Sequence, residues 1–333
     1  MSWAEEDRLL LYFCREEIAD EIKDRIIEAE ENNLDWDRFL KKAKENGVSA
    51  VVYSKLNRIK KDCPCIPLFV FEELKKIYYM NATKNSLIFE ELGKVLNTFR
   101  KSGIQVIALK GAALAEKIYG NLALRPMTDV DLLVKKEDLF CLDKQMKKLG
   151  YRPSDISIDD IDFSSTYLTT LDYRSFSANS ASFHVHWHFV NSTVPNESYI
   201  KNIKIEDIWR DAEKTKIADE ETLVMAPHQL LIHLSEHALR ITHSLSKLSL
   251  LCDIGESVNF YKERLDWDRL IKDSLKFDLS QMVYISLYFV HRFLETKIPE
   301  YVLLKLRPER LSLGEKIFMN FLSKNKGFSG LSY

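Results

Sequence analysis

The chain is poor in the residues that interrupt helices: its 333 positions hold ten glycines and eight prolines. That scarcity predicts few loops and many helices. It has no excess of one charge either, since 48 Lys and Arg against 50 Asp and Glu leave a formal net charge of −2. A protein without a global basic field is a poor candidate for non-specific nucleic-acid binding. Long hydrophobic runs are missing. The longest mainly apolar stretch, Met282 to Val290, falls far short of a membrane span. The acidic start, Met1-Ser-Trp-Ala-Glu-Glu-Asp-Arg, has no signal-peptide core, so a cytoplasmic location is expected. Cysteine is sparse and scattered, at Cys14, Cys63, Cys65, Cys141 and Cys252. One Cys-Pro-Cys is too little for structural zinc, and free thiols in a reducing compartment are the expectation.

What remains is an ordinary globular balance, 46% hydrophobic and 29% charged, long enough for two or three structural units. Residues 1–100 read as a helical region, with a long helix from Phe69 to Ser102 that follows Pro67 and stops at Gly103. Residues 101–190 change character. Ile104 to Leu109 is a short apolar run suited to a buried strand, and Gly111 opens a helix over roughly 112–119. Val130 to Val134 is a second strand, Lys136 to Leu149 a helix, and Ser182 to Phe189 an alternating strand. One more strand is expected near Tyr167 to Tyr173. From about residue 206 the pattern is helical, so 191–333 reads as a C-terminal helical region. Leu-Asp-Trp-Asp-Arg occurs at 34–38 and again at 265–269, where an Asp side chain can cap a starting helix. Trp36, Trp187, Trp209, Trp267, Tyr284, Tyr288 and Phe289 read as core, because no basic stripe accompanies them.

The chemistry concentrates between Ile104 and Val134. Asp129 and Asp131 are two apart on a strand, so both carboxylates face one side. Such a pair suits magnesium or manganese, which takes a few carboxylates and keeps room for phosphate oxygens. Lys110-Gly111-Ala112 stands at a helix start, where free backbone N–H groups favour phosphate. Gly111 would let a phosphate approach without a Cβ, and Lys110 and Arg125 are cations near the same loop. Each piece has an ordinary structural explanation: D-x-D occurs as turn chemistry, Lys110 could end a strand, and Arg125 could pair with Glu116. Together they describe a nucleoside triphosphate site and predict phosphoryl or nucleotidyl transfer.

These motifs resemble a known family. L-K-G-A-A-L-A-E-K-I-Y-G at 109–120, R-P-M-T-D-V-D-L-L-V at 125–134 and L-G-Y at 149–151 resemble a bacterial family of uncharacterised nucleotidyltransferases in the DNA polymerase β-like superfamily. The flanks are similar too, in residues 34–53, in H-V-H-W at 184–187, and in the helical stretch from M-A-P-H-Q at 225 through L-C-D-I at 251–254. The resemblance implies an α+β fold: a small mixed sheet forming the nucleotidyltransferase core, flanked by the two helical regions. It also implies that Asp129 and Asp131 bind metal, and that Gly111 occupies the phosphate turn with Ala112 in its second position. A third carboxylate is implied two residues before His-Trp, yet that position is His184. His184 could accept the acceptor's proton, Asp172 on a neighbouring strand could replace the missing carboxylate, or the protein could be a catalytically weakened nucleotide- or partner-binding module. The acceptor, whether small molecule, peptide, protein or RNA end, is not specified.

Two histidine patterns invite metal readings. His184, His186 and His188 alternate along one strand, but one flat strand rarely offers tetrahedral geometry, so His186 is expected as a hydrogen-bonded structural residue beside the aspartates. His233-Leu-Ser-Glu236-His237 matches a metallopeptidase signature too short to stand alone.

Overall fold

The computed structural model describes residues 4–16, 19–61, 63–154, 156–161, 169–175, 180–190, 202–240 and 247–309. Helices α1 (Glu5–Phe13), α2 (Ala19–Glu31), α3 (Trp36–Glu45) and α4 (Ser49–Ile59) lead into α5 (Leu68–Lys101). The mixed sheet then begins with β1 (Val106–Ala108), α6 (Lys110–Ala113) and β2 (Asp129–Val134). It continues through α7 (Leu139–Lys148), β3 (Tyr151–Pro153), β4 (Thr170–Ser175) and β5 (Ser182–His186). Helix α8 (Ile205–Asp211) precedes β6 (Glu213–Ile217) and β7 (Glu220–Val224). The described chain closes with α9 (Pro227–Leu239), α10 (Leu248–Tyr261), α11 (Trp267–Lys276), α12 (Ser280–Leu294) and α13 (Glu300–Leu306).

The seven strands of the described residues lie in the order β3-β4-β5-β2-β1-β7-β6, with β2–β5 and β1–β7 parallel and the other pairs antiparallel. Strand alternation divides the core in two. Val130, Leu132 and Val134 point to one face and pack with Leu92, Val95 and Phe99 of α5 and Leu142 and Met146 of α7. Leu133 and Ile107 point to the other face and join a second core built from the N- and C-terminal helices, including Phe39, Leu231 and Leu251. Asp129 and Asp131 share that second face with Leu133. The acidic pair is therefore overlaid by the helical regions.

The α+β class and the long α5 agree with the sequence reading, and both Asp caps form: Asp35 accepts from the Arg38 amide at 3.0 Å and Asp266 from the Arg269 amide at 2.9 Å. The expected all-helical stretch after residue 206 is corrected, because β6 and β7 form a hairpin there and extend the sheet beyond the 101–190 core. Their alternation is weak, and their two turn residues, Ala218 and Asp219, take φ of 52° and 63° without glycine. Both central residues in the left-handed region make the turn that a hairpin's twist favours, though its usual signal is Asn-Gly or Asp-Gly. Gly93 has a matching reason to lie inside α5: a Cβ there would stand 3.1 Å from the Ala218 carbonyl oxygen. The helix after β1 starts earlier than expected, at Lys110, and ends in a π-turn over Leu114–Ile118. The strand near Tyr167 to Tyr173 is β4, although Tyr167 itself lies outside the described residues.

Candidate active site

Strand register assembles the site. β2 and β5 run parallel with Asp131 opposite His184, and β4 sets Asp172 opposite His184 from the other side. Asp129, His184 and Asp172 are partly exposed, at 34%, 28% and 29% of their side chains, while Asp131 is buried at 8%. His184 Nδ1 lies 3.2 Å from Asp129 Oδ2 and 3.9 Å from Asp131 Oδ1; its Nε2 lies 3.7 Å from Asp172 Oδ1. Thr128 Oγ1 donates to Asp129 Oδ1 at 3.1 Å. His184 thus stands between the aspartate pair and Asp172.

Behind them Asp131 is anchored. Lys110 Nζ and His186 Nε2 both reach its Oδ1 at 2.8 Å. Burial alone would push the Asp131 carboxyl up; the Lys110 charge and the His186 hydrogen bond overcome it and hold the group well below the usual carboxylate range. Burial lowers His186 despite the opposing pull of Asp131, so the ring is neutral at pH 7 and donates through Nε2–H. Among the described residues, both hydrogen bonds to Asp131 fall on Oδ1, leaving Oδ2 without a protein donor. A free oxygen there, beside a half-exposed Asp129, fits a magnesium-type cation, which takes one or two carboxylates plus substrate phosphates. Among the described residues no set of three or more His, Cys, Asp and Glu forms a protein-only metal site.

The glycine turn is built differently from the expectation. Lys110, Gly111 and Ala112 are all buried, and Lys110 adopts φ of 35°. A Cβ on Gly111 would stand 2.8 Å from Arg125 Nη1 and 3.0 Å from Met127 Sδ. The missing side chain therefore makes room for the loop that leads into β2. Arg125 does not pair with Glu116, which instead accepts from the Ala218 amide at 2.9 Å. It donates to Asp253 on α10 through Nε, at 3.1 Å to each oxygen, and through Nη2 at 3.0 Å. Tyr119 OH adds a third donor to Asp253 at 3.0 Å. Burial works against the Arg125 charge, and Asp253 more than offsets it. Asp253 carried no role in the sequence reading. Its signal was a single carboxylate in the apolar run L-S-L-L-C-D-I-G, since a buried charge requires a partner.

The profile of the uncharacterised nucleotidyltransferase family matches residues 32–295, well over half of the chain. The chain belongs to this family. Similar solved structures include ANT(2'')-Ia in complex with adenylyl-2''-tobramycin, 11% identical with a TM-score of 0.39, covering 57% of this chain and 96% of that one. A solution structure of the same antibiotic-resistance factor is 13% identical with a TM-score of 0.38, covering 64% and 98%. A nucleotidyltransferase-like protein from Paracoccidioides brasiliensis is 14% identical with a TM-score of 0.40, covering 63% and 94%. A search of curated proteins finds no match.

His233 Nδ1 bonds the Phe189 carbonyl at 2.9 Å, and Glu236 is committed to Arg240, whose Nε and Nη2 donate at 2.9 and 2.6 Å. The metallopeptidase signature is thereby divided between a backbone contact and an ion pair. No described helix is long and apolar enough to cross a membrane.

Proposed function

We propose that this nucleotidyltransferase-family protein moves a nucleoside monophosphate from a nucleoside triphosphate to an acceptor and releases pyrophosphate. The observation that carries the reading is the convergence of Asp129, Asp131, His184 and Asp172 on one face of three adjacent strands. Magnesium or manganese held by Asp129 and Asp131 would supply charge neutralisation on the triphosphate. The chain's own residues do the rest. Lys110 and His186 hold the Asp131 carboxylate in place, and Arg125, held by Asp253, fixes the loop against Gly111. His184, with Nδ1–H toward Asp129, offers its Nε2 lone pair to the acceptor's proton, and Asp172 stabilises the imidazolium that results. The acceptor oxygen bonds the α-phosphorus as the bond to the bridging oxygen of the pyrophosphate breaks.

A second reading, a nucleotide-binding module with weakened catalysis, draws on the Lys110 ammonium seated on Asp131 and on histidine standing where a carboxylate is usual. Triphosphates labelled at the α-phosphate, incubated with the protein, magnesium and a cell extract as acceptor source, separate the two. Pyrophosphate release and a labelled acceptor that vanish in Asp129→Asn support transfer; nucleotide binding without turnover supports the module. His184→Ala is expected to reduce turnover by about 100-fold or more if His184 is the base.

A further inference from the structure

A groove of about 710 Å³ opens at the start of β2, with Thr128 on its wall. Its other side is one stripe of α5: Lys76, Tyr79, Met80, Lys84 and Leu87 recur at three- and four-residue spacing, so they share a helical face. The opposite face of the same helix is spent on structure, since Asn85 Nδ2 donates to the Leu122 and Arg125 carbonyls and Asn81 Nδ2 to that of Ala123. Those contacts hold α5 against the loop that enters the aspartate strand.

The stripe is unusual in composition for a solvated surface. Tyr79, Met80 and Leu87 are each half exposed or more, at 55%, 60% and 50%. Among the described residues no carboxylate stands within ion-pair distance of Lys76 or Lys84, although Glu73 one turn earlier feels the Lys76 charge, and no Asp or Glu lines the groove. An apolar floor between two exposed ammonium groups complements an anion with an apolar body. Thr128 joins the groove to the chemistry, because it lines the wall and its hydroxyl bonds the Asp129 carboxylate.

We infer that this groove receives the acceptor, and that the acceptor is a negatively charged molecule with an apolar portion. The inference rests on the nucleotidyl-transfer reading and adds a substrate class to it. The two lysines, two helical turns apart, hold the anionic group; Tyr79, Met80 and Leu87 hold the apolar part; the Thr128 end directs the reacting group toward Asp129. The lining is concave and in the size range of small-molecule sites, which favours a compact acceptor over a protein surface.

The test uses the full chain and hexyl phosphate as probe, with hexyltrimethylammonium and 1-hexanol as controls, followed by calorimetry or NMR titration. Hexyl phosphate is expected to bind at least tenfold more tightly than either control. Lys76→Glu with Lys84→Glu, and separately Leu87→Ser, should each weaken it several-fold; all three positions lie on the solvent face of α5, and an unchanged circular dichroism spectrum confirms the fold. Binding of a non-hydrolysable triphosphate should stay unchanged in these variants. Equal binding of the three probes, or no effect of the charge reversals, overturns the inference. So does a matching loss of triphosphate binding, which would assign the groove to the nucleotide. If hexyl phosphate binds as described but no nucleoside triphosphate yields pyrophosphate, the anion groove stands and the transfer reading falls alone.

Discussion

At the scale of single residues, the site depends on Asp131 more than on its more exposed neighbour. Its partners Lys110 and His186 are themselves buried, so removing one strands a charge in the interior. Lys110→Met should therefore destabilise the protein by about 3–5 kcal/mol in urea unfolding, the usual cost of breaking a buried pair from one side. Gly111→Ala is expected to cost about 1–3 kcal/mol through overpacking against Arg125 and Met127, read in the same experiment. The pH dependence has a fixed sign. His186 and His233 are both lowered, chiefly by burial, so the unfolded chain binds their protons first and stability falls as pH drops below about 6.5, by up to about 1.4 kcal/mol per pH unit for each proton. Asp131 is also lowered; its contribution is complete above about pH 4, the unfolded value, and is lost as pH falls toward its folded one. His233→Gln, which keeps a donor for Phe189, should make the stability profile shallower just below pH 6.5, where the His186 contribution remains, and leave the acid limb below pH 4 in place. A profile that is flat from pH 7 to 5 in the unaltered protein would contradict this account.

At the scale of elements, what was legible in the sequence follows from which signals are local. α5 could be read because periodicity, Pro67 and Gly103 all lie within one stretch, and the caps at Asp35 and Asp266 because a cap acts within three residues. Truncating either cap to Ala should cost about 1 kcal/mol. The β6–β7 hairpin escaped because its edge strand, Glu-Lys-Thr-Lys-Ile, carries charges where an interior strand has apolar residues, and its turn uses Ala218-Asp219. The turn's backbone makes a sharp prediction. Asp219→Val places a β-branched side chain at φ of 63° and should lower stability by about 1–2 kcal/mol, whereas Asp219→Gly should be neutral or better. Equal effects of the two would mean that the turn does not hold both residues in the left-handed region.

At the scale of the whole molecule, the aspartate pair could be read from sequence because β2 presents both members by simple alternation. The partners of Lys110 and Arg125 could not, since each pairing spans a distance in sequence that no local pattern encodes. Lys110 reaches Asp131 across 21 residues and Arg125 reaches Asp253 across 128. The second link gives the C-terminal helices a hold on the site. α10 presents Asp253 to both Arg125 and Tyr119, which bracket most of the loop between the glycine turn and β2. Burial and Asp253 together raise the Tyr119 hydroxyl well above its ordinary range, so the tyrosine is a donor at every physiological pH. Asp253→Asn keeps the shape but removes the charge that balances buried Arg125. The variant is expected to lose about 3–5 kcal/mol. Amide hydrogen exchange should report where: protection should fall over residues 119–128 while Val95 and Phe99 of α5, in the other core, keep theirs. Because Arg125 Nη1 lies where a Gly111 Cβ would point, that loosening should reach Lys110–Ala112 as well. Uniform loss of protection across both cores would show that Asp253 is an ordinary packing residue, and that the helical region covers the site without organising it.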